Sequence, residues 1–125
     1  MTAVPKPRLM MYVIDTNLLA DIVQRIVKQA HPIKIILFGS RARGDERPDS
    51  DIDLLVVANS DVPRHRRAVP LYGVLSDIHL PMDIVVYRPD EIRDWSRVPQ
   101  AFISTAIREG TVLYEKQRRP RTRLV

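Results

Sequence analysis

The sequence predicts an α/β fold, a single mixed β-sheet with flanking helices, on three observations. Helical and strand patterns alternate along the 125 residues, as a layered structure requires. Residues 51–58 are apolar on both faces once past Asp53, which suits a central strand covered from two sides. Apolar residues make up 45% of the chain, enough to bury one core at this length and too many for a mainly disordered chain.

The elements follow in order. Residues 1–14 read as a loose lead-in containing Pro5 and Pro7. Asp15 or Thr16 can cap a helix, because Leu18, Leu19, Ile22, Val23, Ile26, Val27 and Ala30 recur at three- and four-residue spacing up to Pro32. Residues 34–38, β-branched and aromatic, form a buried strand that ends in the turn signal Gly39-Ser40. A short helix from Ser40 and a loop punctuated by Gly44 and Pro48 lead to the central strand. Pro63 opens a helix to about Asp77, which Pro70 should kink or divide. A strand over residues 82–87 follows, then helices starting at Pro89 and Pro99, the second capped by Gly110, and a last strand over 111–114. The domain so defined spans 15–115, leaving 116–125 as a basic, flexible tail.

Charge excludes less than it first promises. The net charge is +5, yet residues 115–125 hold five Lys and Arg against Glu115, so the body carries only +1. A pI near 10 is therefore weak evidence for a nucleic-acid partner, and none is expected. The longest apolar runs are five residues or fewer, far below the ~18 of a membrane span, and the start lacks a secretory signal. The absence of cysteine removes disulfides and thiolate metal sites. A cytoplasmic protein is the expectation.

Three carboxylates stand where strands should be apolar. Asp51 and Asp53 are one residue apart, so in a strand both side chains leave the same face. Asp83 lies near the start of the next strand. If the strands are neighbours the three converge, and carboxylates so close repel one another unless a cation intervenes. Their hard oxygens suit Mg²⁺ or Mn²⁺. The second element is Gly39-Ser40-Arg41-Ala42-Arg43-Gly44. A strand end passing into a helix offers free N–H groups and a hydroxyl to an anion, Gly39 lets a phosphate approach closely, and Arg41, Arg43 and Arg47 add positive charge. The spacing is not that of a P-loop. Taken singly, Gly-Ser is an ordinary turn and the arginines a solvated face.

Together, Gly39-Ser40, ten residues, Asp51-Ile52-Asp53 and a later Asp83 resemble the signature of the nucleotidyltransferase superfamily related to DNA polymerase beta. The stretch from Ile35 to Val56, with Asp83-Ile84-Val85-Val86-Tyr87 and residues 108–115, is similar to its minimal nucleotidyltransferase (MNT) group. The resemblance implies the polymerase beta palm-like fold and a role for each matching residue. Asp51, Asp53 and Asp83 would be the catalytic, metal-holding set for two Mg²⁺ ions. Gly39 and Ser40 would hold the β- and γ-phosphates of ATP, with Arg41 and Arg43 beside them.

The activity so implied is transfer of AMP from ATP to a hydroxyl acceptor. The chain ends soon after the catalytic core, so the acceptor is expected on a partner. In this group the partner is commonly a helical HEPN-type toxin that the MNT antitoxin adenylylates on a tyrosine; a homo-dimer or hetero-oligomer is compatible. Two rivals remain: a non-catalytic module that masks its partner, which needs no intact Asp51, Asp53 and Asp83, and a small-molecule (antibiotic) nucleotidyltransferase, which needs an acceptor-binding domain. Elsewhere, His31, His65 and His79 lack metal-site spacing. Trp95, Phe102 and Ile103 read as core or interface and not as a base-stacking platform. Arg64, Arg66 and Arg67 open a helix, a poor place for cations, and read as its solvated end in preference to a contact with phosphate or an acidic partner.

Overall fold

A computed structural model describes residues 16–45, 47 and 50–117. The expected lead-in, the capping Asp15 and the tail beyond Gln117 lie outside them. Along the chain come α1 (Thr16–Ala30), β1 (Lys34–Phe38), α2 (Ser40–Arg43), β2 (Ile52–Val57), a 3₁₀ turn (Arg64–Arg66) and α3 (Val69–Val74). They are followed by β3 (Met82–Tyr87), α4 (Pro89–Trp95), α5 (Phe102–Glu109) and β4 (Thr111–Glu115). The four strands form one mixed sheet in the order β3-β2-β1-β4, as the alternation of patterns predicts. β1 pairs antiparallel with β2 and β4, and β2 pairs in parallel with β3.

Strand alternation sorts the core into two layers. Ile35, Leu37, Ile52, Leu54, Val56, Ile84 and Val86 face α1 and α3, meeting Ile22, Ile26 and Leu71. Ile36, Phe38, Leu55 and Val57 face the other way, onto Ile103 and Ala106 of α5 with Ile92 of α4 beside them. β2 is thus buried on both sides. α1 ends where His31 takes a positive φ of 47° before Pro32. Arg25 reaches from α1 to Asp21, Asp77 and the Val74 carbonyl, fastening α1 to the end of α3.

Several expectations are adjusted. The helix from Pro63 is divided as expected but ends at Val74, short of Asp77: a 3₁₀ turn comes first, and α3 starts at Val69 with Pro70 in its first turn, where a missing N–H costs nothing. α5 begins at Phe102, three residues after Pro99, and Gly110 ends it in extended backbone, not a left-handed cap. Arg67 is no solvated end. Its guanidinium donates to the Val62 carbonyl at 2.8 Å, to the Val86 carbonyl at 3.3 Å and to both Glu91 carboxylate oxygens. Glu91 also accepts the Arg88 N–H at the start of α4. The pair therefore locks the loop after β2 to α4. Ile103 is core, at 2% exposure, whereas Trp95 (43%) and Phe102 (50%) are open to solvent.

Candidate active site

Strand pairing brings the candidate residues to one end of one sheet face. Asp53 is the second residue of β2 and shares the parity of Leu55 and Val57, so it faces the α4–α5 side. Asp83 is the second residue of β3 and has the same parity as Val85 and Tyr87. The parallel register makes Asp53 and Asp83 Cα partners, which sets their carboxylates side by side on neighbouring strands. α5 and α4 bury Leu55 and Val57 but leave this end uncovered: Asp53 is half-buried and Asp83 exposed. Asp51, also exposed, lies in the segment leading into β2.

On the other side of Asp53 its partner in β1 is Phe38, after which the chain turns through Gly39. Gly39 has φ 77° and ψ −159°, a region essentially closed to other residues. A Cβ there would collide with Asp53 Oδ2 and lie 3.1 Å from its Cγ. Gly39 backbone and Asp53 carboxylate are therefore in direct apposition. Ser40 opens α2, whose start no side chain caps.

The arginines divide. Arg41 donates from Nε and Nη2 to the Ser50 carbonyl at 3.1 and 2.7 Å, tying α2 to the residue before Asp51. Arg43 is exposed at the end of α2, its Nε 3.5 Å from Asp45 Oδ2.

Electrostatics follow from this crowding. Burial pushes the Asp53 carboxyl above the ordinary aspartate range, and the charges of Asp83 and Asp51 push it further, against the pull of Arg43 and Arg41. Among the described residues no three carboxylates or imidazoles already stand in cation-ligating geometry. The donor set nevertheless fits a hard divalent cation: three carboxylates that repel one another, two of them exposed and able to rotate toward the third. A cation there would remove the repulsion that raises Asp53.

One neighbouring feature escaped the sequence. A cavity of about 250 Å³ opens beside Gly39, lined by Phe38, Arg43, Phe102, Thr105, Ala106 and Glu109. The Phe38 and Phe102 rings meet edge-to-face with centroids 5.2 Å apart. The one signal for it in the sequence was Phe38, adjacent to Gly39.

Residues 20–119 match the family model described as polymerase beta, nucleotidyltransferase. A relative from Methanocaldococcus jannaschii, named as a protein adenylyltransferase, is 33% identical over 85 residues, covering 65% of this chain and 77% of its own. The fold is similar to that of a nucleotidyltransferase crystal structure from Sulfolobus solfataricus, with TM-score 0.56, 24% identity, and 80% and 79% of the two chains covered. It is also similar to a chain of a toxin–antitoxin solved with AMP-PNP, with TM-score 0.54, 21% identity, and 83% and 76% covered. A mutant of the MntA-HpeT toxin–antitoxin gives TM-score 0.53 at 18% identity, with the same coverage.

Proposed function

Since the chain belongs to the polymerase beta nucleotidyltransferase family, we propose that it is the antitoxin of a toxin–antitoxin pair and transfers AMP from ATP to a tyrosine of a HEPN-type toxin. The observation that carries the transfer is the pairing of Asp53 with Asp83 across the parallel β2–β3 register, with Gly39 pressed against Asp53. The acceptor rests on the relative named as a protein adenylyltransferase and on the toxin–antitoxin structures of the same fold.

In this reading Asp51, Asp53 and Asp83 hold two Mg²⁺ ions, which when bound stabilise charge on the entering and leaving oxygens. The chain's own residues do the rest. The Gly39 and Ser40 backbone and the Ser40 hydroxyl hold the β- and γ-phosphates, and Arg43 offsets their charge. Arg41 keeps the loop before Asp51 in place through the Ser50 carbonyl. The acceptor hydroxyl gives up its proton to water, its oxygen bonds to the α-phosphorus as the bond to the β-phosphate oxygen breaks, and pyrophosphate leaves on the Gly39 side. In-line displacement then requires the hydroxyl to enter from the Asp83 side, across the open sheet edge.

Calorimetry with ATP tests the site: clear binding with Mg²⁺ and little in chelator is the expected result, because triphosphate and carboxylates repel. Equal affinity in both conditions contradicts it. Labelled ATP, Mg²⁺ and the co-purifying partner test the acceptor. Label on a partner tyrosine supports the reading, and a partner neutralised without label supports masking.

A further inference from the structure

The cavity beside Gly39 adjoins the turn assigned to the phosphates and lies away from the acceptor's approach. Its lining joins the aromatic residues Phe38 and Phe102 and the small Gly39 and Ala106 to the polar Thr105 and the oppositely charged Arg43 and Glu109. The acceptor hydroxyl must approach opposite the leaving pyrophosphate, hence from Asp83, which is across Asp53 from this cavity. At about 250 Å³ it is smaller than the pockets that enclose drug-sized ligands and suits one flat ring system. Folding alone does not account for Phe102. Its neighbour Ile103 is buried, yet Phe102 packs edge-on against Phe38 and leaves half its surface open.

We propose that this cavity is the base subsite of the nucleotide, in which Phe102, backed by Phe38, stacks an aminopurine whose exocyclic amine donates to Glu109. The proposal rests on the nucleotidyltransferase reading above and adds the residues that would hold the base of its nucleotide. Glu109 forms no ion pair among the described residues, so its carboxylate remains available as an acceptor. Thr105 on the same helix also lines the cavity, and its hydroxyl, which accepts from Arg108 Nη2 at 3.4 Å, keeps a proton to donate to a ring nitrogen. Adenine offers one amine and guanine an amine beside a ring N–H, so both satisfy a carboxylate. Uracil has no exocyclic amine and offers a carboxylate only its N3–H, set between two carbonyls.

The experiment compares nucleotides with inorganic tripolyphosphate, which carries the phosphates and no base. With Mg²⁺, the full chain should bind ATP or GTP about tenfold or more tightly than tripolyphosphate, since stacking one base on an aromatic residue is worth about 1–3 kcal/mol. UTP should gain less than either purine, because a single ring stacks over less area and uracil carries no exocyclic amine. The ATP and GTP arms decide which purine is preferred. Phe102→Ala and Phe102→Leu should remove the advantage while tripolyphosphate affinity stays unchanged, and Phe102→Trp should keep it. The leucine variant preserves apolar packing on Phe38, so an unchanged melting temperature separates lost stacking from lost fold. Equal binding of ATP and tripolyphosphate, or an advantage that survives Phe102→Leu, overturns the base subsite and leaves the transferase reading standing. Failure of both ligands to bind with Mg²⁺ overturns both.

Discussion

Gly39 offers the sharpest test of the site because two separate costs meet there, and Gly44 supplies the control. Both glycines have positive φ, 77° and 82°. Gly44 sits in the left-handed helical region, and a Cβ there meets nothing within 4 Å. Gly44→Ala therefore costs backbone strain alone, about 1 kcal/mol. Gly39 sits in a region that is nearly glycine-only, worth about 1–3 kcal/mol when another residue is forced into it. Its Cβ would also collide with Asp53 Oδ2, so the carboxylate must swing away or β1 must shift from β2. A total of about 3 kcal/mol is expected.

At this chain length 1 kcal/mol moves the melting temperature by about 4 °C. Gly39→Ala should then melt roughly 12 °C below the parent and Gly44→Ala roughly 4 °C below. Activity should separate them further. Displacing Asp53 by even 1 Å misplaces what it holds, a loss on the order of 10²-fold in AMP transfer. Gly44→Ala should transfer AMP at close to the parental rate. Thermal unfolding and labelled-ATP transfer, run below both melting points, measure the two effects. Matching losses in the two variants would mean that strain alone matters and that the apposition of Gly39 and Asp53 is not functional.

Other substitutions probe different parts of the structure. Asp53→Asn keeps the side chain's shape and removes its charge. It should abolish AMP transfer while leaving fold and partner complex intact, and full neutralisation of the toxin by this variant would make masking the mechanism. Glu91→Gln strips the carboxylate from the buried Arg67 guanidinium and should cost about 3 kcal/mol in denaturant unfolding. Arg67 holds the Glu91 carboxyl below its ordinary value of 4.5, so this stability is present above that pH and lost as pH falls through the lower folded value. The acid-side slope should therefore be shallower in Glu91→Gln. Ile103→Ala should cost about 2–4 kcal/mol as a core truncation. Trp95→Ala, at an exposed position, should cost under about 1 kcal/mol, and equal losses would place Trp95 in the core.

Legibility varied with the range of the interaction that decides each feature. β1 and β3 have the bounds the sequence predicts, Lys34–Phe38 and Met82–Tyr87, because short apolar runs between Pro, Gly and Asp are local signals. The Gly39-Ser40 turn and the Asp53 position were legible for the same reason. Arg67 was not, since its partner Glu91 lies 24 residues away and nothing near Arg67 announces a buried acid. Nor was the phase of α5. Phe102 and Ile103 share one apolar character, and an eight-residue helix leaves its orientation to packing, which buries Ile103 and leaves Phe102 out. The apposition of Asp53 and Asp83 needed β2 and β3 to be parallel neighbours in that register, which a pattern of strands permits without specifying.

One alternation makes both the core and the cleft. On β2 the parity that sends Leu55 and Val57 under α5 and α4 sends Asp53 to the same face, one step beyond their cover. On β3 it does the same for Val85, Tyr87 and Asp83. A one-residue slip of β3 would bury Asp83 against the α1–α3 layer and break the carboxylate pair, so the apolar residues that fix the register also fix the site. The rigid part of the site is therefore Asp53, pinned between Gly39 and Asp83, whereas Asp51 and Asp83 are exposed and free to turn. On the proposed reading such a division would suit a centre that gathers metal and triphosphate together: the sheet holds one carboxylate, and a cation would remove the repulsion that keeps its like-charged neighbours away.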